Sequence, residues 1–252
     1  MTAALTTVGM TVRFGGVSAL DDVSLEVPAS GLTGLIGPNG AGKSTFIDAV
    51  TGFLRDRAAG RVLLGTHDVT RLSANHRAHL GLGRSWQTQE LFEDVTVEEN
   101  LTIAARRLTF AGALREMVRR PEADPRVEAT LELLQLTEVA RRQPRELTQR
   151  ERKLVGVARA IVGKPRLALL DEPAAGLDRH ETDWLGERLE RIAASGIPIL
   201  LVDHDMSLVL RISDRIHVLD NGRLLATGTP SQIRTDDRVI RAYLGSTVEG
   251  EQ

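Results

Sequence analysis

The sequence predicts an α/β fold in which helices cover a mostly parallel sheet and a helical insert interrupts the chain. Three observations predict it. A strand-sized apolar run, Leu32 to Ile36, leads through a glycine-rich loop into a helical stripe of Phe46, Ile47, Val50 and Leu54. From about Thr88 to Ala160 the character is helical. Strand-sized runs then return at Leu167 to Leu170, Ile197 to Val202 and Arg215 to Leu219, with a helix marked by Trp184, Leu185, Leu189 and Ile192 between the first two.

Ahead of the loop, Val8, Met10, Val12 and Phe14 alternate within a strand from Leu5 to Phe14. Gly15-Gly16 reads as a turn. Val23, Leu25 and Val27 repeat the alternation until Pro28, which has no N–H to give a ladder, ends it. Gly60 to Gly65 reads as another short strand, and Leu82 to Gln87 as a segment leading away from the core. Thr96 reads as a helix cap, with Glu98 and Glu99 in the first turn, where negative charge suits the exposed N–H groups. Val127, Leu131 and Leu134 form a further stripe with Glu128, Glu132 and Gln135 turned outward; Leu154, Val157, Ala158 and Ile161 form the next. Thr229-Pro230 places a cap before a proline at the first helical position, and a terminal helix runs on through Leu244. Residues 1–252 read as one domain, with a helical part at about 88–160 inserted in the core and a helical tail at about 229–245. No internal repeat or low-complexity segment stands out.

The stretch Gly37-Pro38-Asn39-Gly40-Ala41-Gly42-Lys43-Ser44-Thr45 has the strand, loop and helix order of a phosphate-binding loop. Its glycines let the backbone curl with N–H groups inward, and the first helical turn aims unpaired N–H groups at an anion. Lys43 is expected to reach the β- and γ-phosphates of a nucleoside triphosphate, and Ser44 to offer its hydroxyl to Mg²⁺. Such a loop needs a partner strand with carboxylates, and Leu167 to Leu170 followed by Asp171-Glu172 supplies one. Successive strand residues point to opposite faces, so the two acids need not compete for one role. Asp171 is expected to hold Mg²⁺ from outside its inner coordination, beside Ser44. Glu172 is expected to orient the attacking water or accept its proton.

Composition narrows the class. A chain of 252 residues with 42% hydrophobic content can bury one large core or two modest ones. The absence of cysteine excludes disulfides and thiolate metal sites, and a net charge of −2 with mixed signs argues against general nucleic-acid binding. The longest apolar run, Ile197 to Val202, is far short of a membrane span, and the N-terminus shows no secretory signal, so a cytoplasmic protein is expected.

The phosphate loop, Leu169-Leu170-Asp171-Glu172-Pro173, Ala175-Gly176-Leu177-Asp178 and Leu201-Val202-Asp203-His204-Asp205 occur in the order seen in ATP-binding cassette (ABC) ATPases, and the resemblance covers essentially the whole chain. It implies a P-loop NTPase of the ABC-ATPase fold, with a RecA-like core, an antiparallel β subdomain and an inserted helical subdomain. It implies ATP and Mg²⁺ as ligands, bound through Gly37, Asn39, Gly40, Gly42, Lys43, Ser44 and Thr45. It also implies that Phe14 stacks on the adenine, that Gln87 contacts Mg²⁺ and the γ-phosphate, that His204 reaches the γ-phosphate, and that Asp178 belongs to a loop crossing a dimer interface. The runs Gly81 to Gln87, Leu91-Phe92, Thr96 to Leu101 and Val239 to Gly245 resemble the ATP-binding subunits of importers for branched-chain amino acids and related amides and urea.

That family hydrolyses ATP between two head-to-tail cassettes, the second capping the γ-phosphate with a stretch like Leu-Ser-Gly-Gly-Gln. Here Leu147-Thr148-Gln149-Arg150-Glu151 stands at that place. Thr148 keeps a hydroxyl, but Arg150 replaces a glycine whose bare backbone lets the N–H approach phosphate. One composite site is therefore expected to be weak or non-hydrolytic, and the chain to be half of an asymmetric heterodimer. The expected partners are transmembrane permease subunits, a second cassette ATPase and, indirectly, an extracytoplasmic solute-binding protein, with no nucleic acid; the expected location is the inner face of the cell membrane. Cassettes of lipid- or lipopolysaccharide-extracting exporters resemble this one too. Non-transport cassettes usually carry a coiled-coil insert or a second cassette, and this chain has neither. The arginines between Ala104 and Asp124 (Arg106, Arg107, Arg115, Arg119, Arg120) read as a solvated helical face, with contact to anionic lipid or a membrane subunit as the alternative.

Overall fold

The structure, a computed structural model, describes residues 3–85, 91–105 and 124–248. Strands β1 (Ala3–Phe14) and β2 (Val17–Pro28) form an antiparallel hairpin over Gly15-Gly16, and β4 (Ala58–Leu64) and β5 (His67–Asp68) extend it to a four-stranded sheet of order β2-β1-β4-β5. The expected alternation holds for Met10, Val12, Val23, Leu25 and Val27, which are buried, whereas Val8 and Phe14 are exposed. Register shifts between Thr7 and Met10, and between Val12 and Arg13, break the period of two at those points.

The second sheet holds β3 (Leu32–Ile36), β6 (Leu82–Arg84), β7 (Leu167–Asp171), β8 (Ile199–Val202), β9 (Arg215–Asp220) and β10 (Arg223–Gly228) in the order β10-β9-β3-β8-β7-β6. It is parallel except for β10 against β9. Its strands feed two cores by alternation. Leu32, Ile36, Ala168, Leu170, Ile199 and Leu201 face one, and Leu35, Leu167, Leu169, Leu200 and Val202 the other. The first core is closed by α3 (Val97–Ala105), α4 (Pro125–Leu134), α5 (Gln149–Ile161), α6 (Arg179–Ala194) and α7 (Met206–Ile212); the second by the antiparallel sheet and α1 (Lys43–Thr51). A short α2 (Ala74–His79) precedes β6.

Two expectations change. Leu82–Arg84 does not lead away from the core but pairs in parallel with β7, an edge strand too short to show alternation. The tail is two helices, α8 (Pro230–Arg234) and α9 (Asp237–Val248). Asp236 interrupts them because its carboxylate accepts the Arg238 amide at 2.8 Å and starts a new helix. The caps read from sequence form as expected: Thr96 with Glu99, and Thr229 with Gln232, exchange side-chain and backbone hydrogen bonds. Trp86, Gln87 and the arginine-rich stretch 106–123 lie outside the described residues.

Candidate nucleotide-binding site

Strand register assembles the site. Leu35 of β3 is level with Val202 of β8, and Val202 with Asp171 of β7. The three strands therefore end side by side, bringing the loop after Ile36, the pair Asp171-Glu172 and the pair Asp203-His204 to one edge. Open parallel sheets bind ligands at that edge.

The loop has the features an anion needs. Gly42 precedes α1 with no side-chain cap on the first turn, so the helix start keeps its unpaired N–H groups. At φ +101, Gly42 would drive a Cβ to 2.7 Å from the Ala19 carbonyl, so only glycine lets the loop pass β2 this closely. Lys43 is buried, and its ammonium donates to the Gly37 and Pro38 carbonyls at 2.7 and 3.0 Å. Burial pulls its pKa down, while Glu172 and Asp171 pull it back up. Ser44 is exposed and Thr45 half-buried on the first turn.

A tight turn locks this loop to the hairpin that carries Phe14. Asn221 and Gly222, at φ +46 and +75, join β9 to β10 in a two-residue turn. The Gly222 amide donates to the Ala41 carbonyl at 3.1 Å, and its own carbonyl accepts the Asp21 amide at 2.8 Å. Phe14 stands exposed at the hairpin end, with the Arg57 guanidinium 5.5 Å from its ring.

The acids differ in setting. Asp171 is buried, its amide donating to the Ser85 hydroxyl at 3.2 Å and its carboxylate 3.6 Å from Arg84. Burial pushes its pKa up to about 6 against the pull of Arg84. Glu172 leaves the strand at φ +47, a left-handed conformation unusual for a glutamate, and its amide donates to the Val202 carbonyl at 2.7 Å. The turn aims the carboxylate toward His204, whose Nδ1 lies 3.9 Å away. Asp203 serves the scaffold: buried, it accepts the amides of Ala174 and Asp205 at 3.1 and 3.0 Å and so ties the two acid-bearing loops together.

The structure thus brings Lys43, Asp171, Glu172 and His204 to one edge, whereas Thr148, Arg150 and Asp178 stand at the starts of α5 and α6. Asp178 caps α6 by accepting the Glu181 amide at 2.8 Å. Thr148 caps α5, its hydroxyl donating to Glu151 at 2.8 Å, and Arg150 lies over the Trp184 ring at 5.1 Å. Sequence reasoning missed two cations. Arg84 joins Asp171 to Asp48, with which it makes a 2.8 Å contact. Lys153 on α5 lies in the field of Asp203 and Glu172, which counter the lowering of its pKa by burial.

A family model described as ABC transporter matches residues 20–175. The chain belongs to the ABC transporter ATPase family. A second model, described as branched-chain amino acid ATP-binding cassette transporter, matches residues 223–249. The cassette is 40% identical over 245 residues to the high-affinity branched-chain amino acid transport ATP-binding protein LivG of Escherichia coli (strain K12), covering 94% of this chain and 96% of that protein. It is 38% identical, over the same shares of each chain, to the corresponding protein BraF of Pseudomonas aeruginosa. It is 31% identical to the lipopolysaccharide export system ATP-binding protein LptB of Escherichia coli (strain K12), covering 96% of this chain and 98% of that one. The crystal structure of the ADP conformation of MJ1267, an ATP-binding cassette of an ABC transporter, superposes with a TM-score of 0.84 at 31% identity, covering 97% of this chain and 100% of that one. As an ABC ATPase, the cassette is an ATP-hydrolysing subunit that works with transmembrane permease components. Among the described residues no helix is long and apolar enough to cross a membrane.

Proposed function

We propose that this cassette binds Mg·ATP at the Gly37–Thr45 loop and drives import of branched-chain amino acids, or related amides and urea, from the inner face of the membrane. The observation that carries the nucleotide reading is the shared strand edge, where the uncapped start of α1 and Lys43 meet Asp171 and Glu172. The importer reading is supported by the family model at the tail and by the stronger likeness to LivG and BraF than to LptB. In this reading Lys43 exchanges its loop carbonyls for phosphate oxygens, and the first-turn amides of α1 take the remaining charge. Ser44 and Asp171 fit Mg²⁺, which when bound would neutralise charge building between the phosphates; Gln87 is assigned to the same ion from sequence alone. Glu172 orients the water or takes its proton, and His204 reaches the γ-phosphate. Phe14 offers its exposed ring to the adenine.

The partner would be a second cassette, with permease subunits and a solute-binding protein completing the transporter. Two observations support an asymmetric pair. The Thr148 hydroxyl is already given to Glu151, which sets a carboxylate at the helix start where a phosphate would dock. Arg150 fills the glycine position with a side chain held on Trp184. Asp178, although it caps α6, remains assigned to the loop that crosses the interface.

Glu172→Gln tests the chemistry: ATP affinity should persist while turnover falls by at least about a hundredfold. Undiminished hydrolysis would remove Glu172 from its role. Purification from native membranes tests the transport reading. Permease subunits that carry labelled leucine or urea into vesicles would support it, and partners that extract lipopolysaccharide would overturn it.

A further inference from the structure

The Arg84 side chain is only 12% exposed, and it lies between the two elements that carry the groups assigned to Mg²⁺. Its two arms reach different elements. Nη1 donates to the Asp48 carboxylate at 2.8 Å and to the Thr51 hydroxyl at 3.0 Å, both on α1. Thr51 can accept because its own proton goes to the Ile47 carbonyl at 2.7 Å. Nη2 lies 3.6 Å from Oδ2 of Asp171 on β7. The next residue grips the same acid through the backbone. The Ser85 hydroxyl accepts the Asp171 amide at 3.2 Å, and the Ser85 amide donates to the Leu169 carbonyl at 2.9 Å. Asp48 stands one turn beyond Ser44 on the same face of α1. The guanidinium therefore sets how far the Ser44 turn stands from the Asp171 carboxylate, and its rigid planar fork suits that span as a single ammonium does not.

We propose that Arg84 is a positioning residue for the metal, bridging α1 to β7 so that Ser44 and Asp171 face one divalent cation at a fixed separation. This rests on the Mg²⁺ reading given above. A strut of this kind acts on the ion, and leaves the nucleotide to Lys43 and the first-turn amides of α1. Partners that orient metal-holding groups typically contribute about ten- to a hundredfold in metal affinity.

The test uses the full chain, with Mn²⁺ as the probe because its paramagnetic signal counts free ion directly. Arg84→Met keeps the length and removes the fork. Affinity of the ADP-bound chain for Mn²⁺ should fall by about tenfold or more, while affinity for ADP in EDTA stays level with wild type. Arg84→Lys restores the charge without the two-armed span and should recover only part of the loss. Asp48→Ala, at a half-buried helix position, cuts the strut at its other end. It should show the same metal-specific loss, and the double variant should bind Mn²⁺ no worse than Arg84→Met alone. Should Arg84→Met fail to fold, Asp48→Ala and Arg84→Lys decide. Unchanged Mn²⁺ affinity, equal losses with and without Mn²⁺, or additive losses in the double variant would overturn the proposal. A wild type that binds ADP but takes up no Mn²⁺ would overturn the metal assignment, and one that binds no ADP in either condition would overturn the loop assignment; this inference falls with either.

Discussion

Asp171 is stable in its position only at a cost. Its carboxyl is held at about 6 by burial, so the folded chain binds a proton there that the unfolded chain has already released. Stability therefore falls as pH climbs from about 4, the ordinary aspartate value, toward 6, and the penalty stays in place above that. Asp171→Asn should raise the stability of nucleotide-free protein at pH 7 by roughly 2 kcal/mol and abolish magnesium-dependent hydrolysis. Urea midpoints of the two chains should converge near pH 4; a constant gap would show that burial of charge is not the cause. Lys43, Asp171 and Glu172 were legible from sequence because each ends or follows an apolar run whose direction is unambiguous. Arg84 and Lys153 were not, since each meets its acids across long stretches of chain and neither sits in a pattern that names a partner. The left-handed Glu172 was equally hidden, because nothing in Asp-Glu-Pro requires that angle without the neighbouring β8 carbonyl that accepts its amide.

At the scale of elements, α1 is held at both ends by different means. Its start faces the ligand edge, while its end is served by Arg77, which is 1% exposed. Arg77 donates to the Ala49 and Val50 carbonyls at 2.9 and 2.6 Å, and to Thr70 and Leu72 at 2.8 and 3.1 Å. A cation at a helix end satisfies carbonyls the helix cannot and complements its dipole. Arg77→Met should cost roughly 3 kcal/mol, read as a lower urea midpoint, because it strands four carbonyls at once; a change near zero would mean that water replaces the guanidinium freely. The long elements were readable from their stripes. The short helices α2 and α7 were not, as one or two turns cannot establish a period. A cap signal for α7 was nevertheless present in Asp205, which accepts the Ser207 and Leu208 amides. β10 was missed although Asn221-Gly222 is a strong hairpin signal, because the residues after it alternate only weakly.

The whole molecule joins two sheets, and buried His217 is one of the ties. Its Nδ1 pairs with Thr227 at 2.8 Å on β10, and its Nε2 with the Glu26 carbonyl at 3.0 Å on β2. Burial holds its pKa below the ordinary value, so below about pH 6.5 the unfolded chain takes a proton that the folded chain resists. Stability from this source is present above that pH and is lost as pH falls. Wild type should therefore lose stability relative to His217→Gln between pH 7 and pH 5 in parallel melts, the carboxylates being common to both chains. In the asymmetric pair proposed above, Arg150→Gly should raise ATP turnover by up to about twofold, by adding a second competent site. Single-turnover counts of ATP cleaved per complex would decide, and full cleavage by the unmodified complex would end the asymmetric reading. That a mostly parallel sheet and a helical layer were present could be read from periodicity, and the antiparallel sheet was implied by the family resemblance alone; the order of strands could not be read, since pairing is settled by cores that only the fold assembles. Those cores have one more consequence. β7 gives alternate residues to two separate oily interiors, so its parity is fixed from both faces. Swapping the neighbouring acids, or slipping the strand by one position, would send the aspartate outward and the glutamate into the sheet. The order Asp then Glu is thus a handedness imposed by grease rather than by chemistry, and the reversed dipeptide should be inert even though its composition and charge are identical.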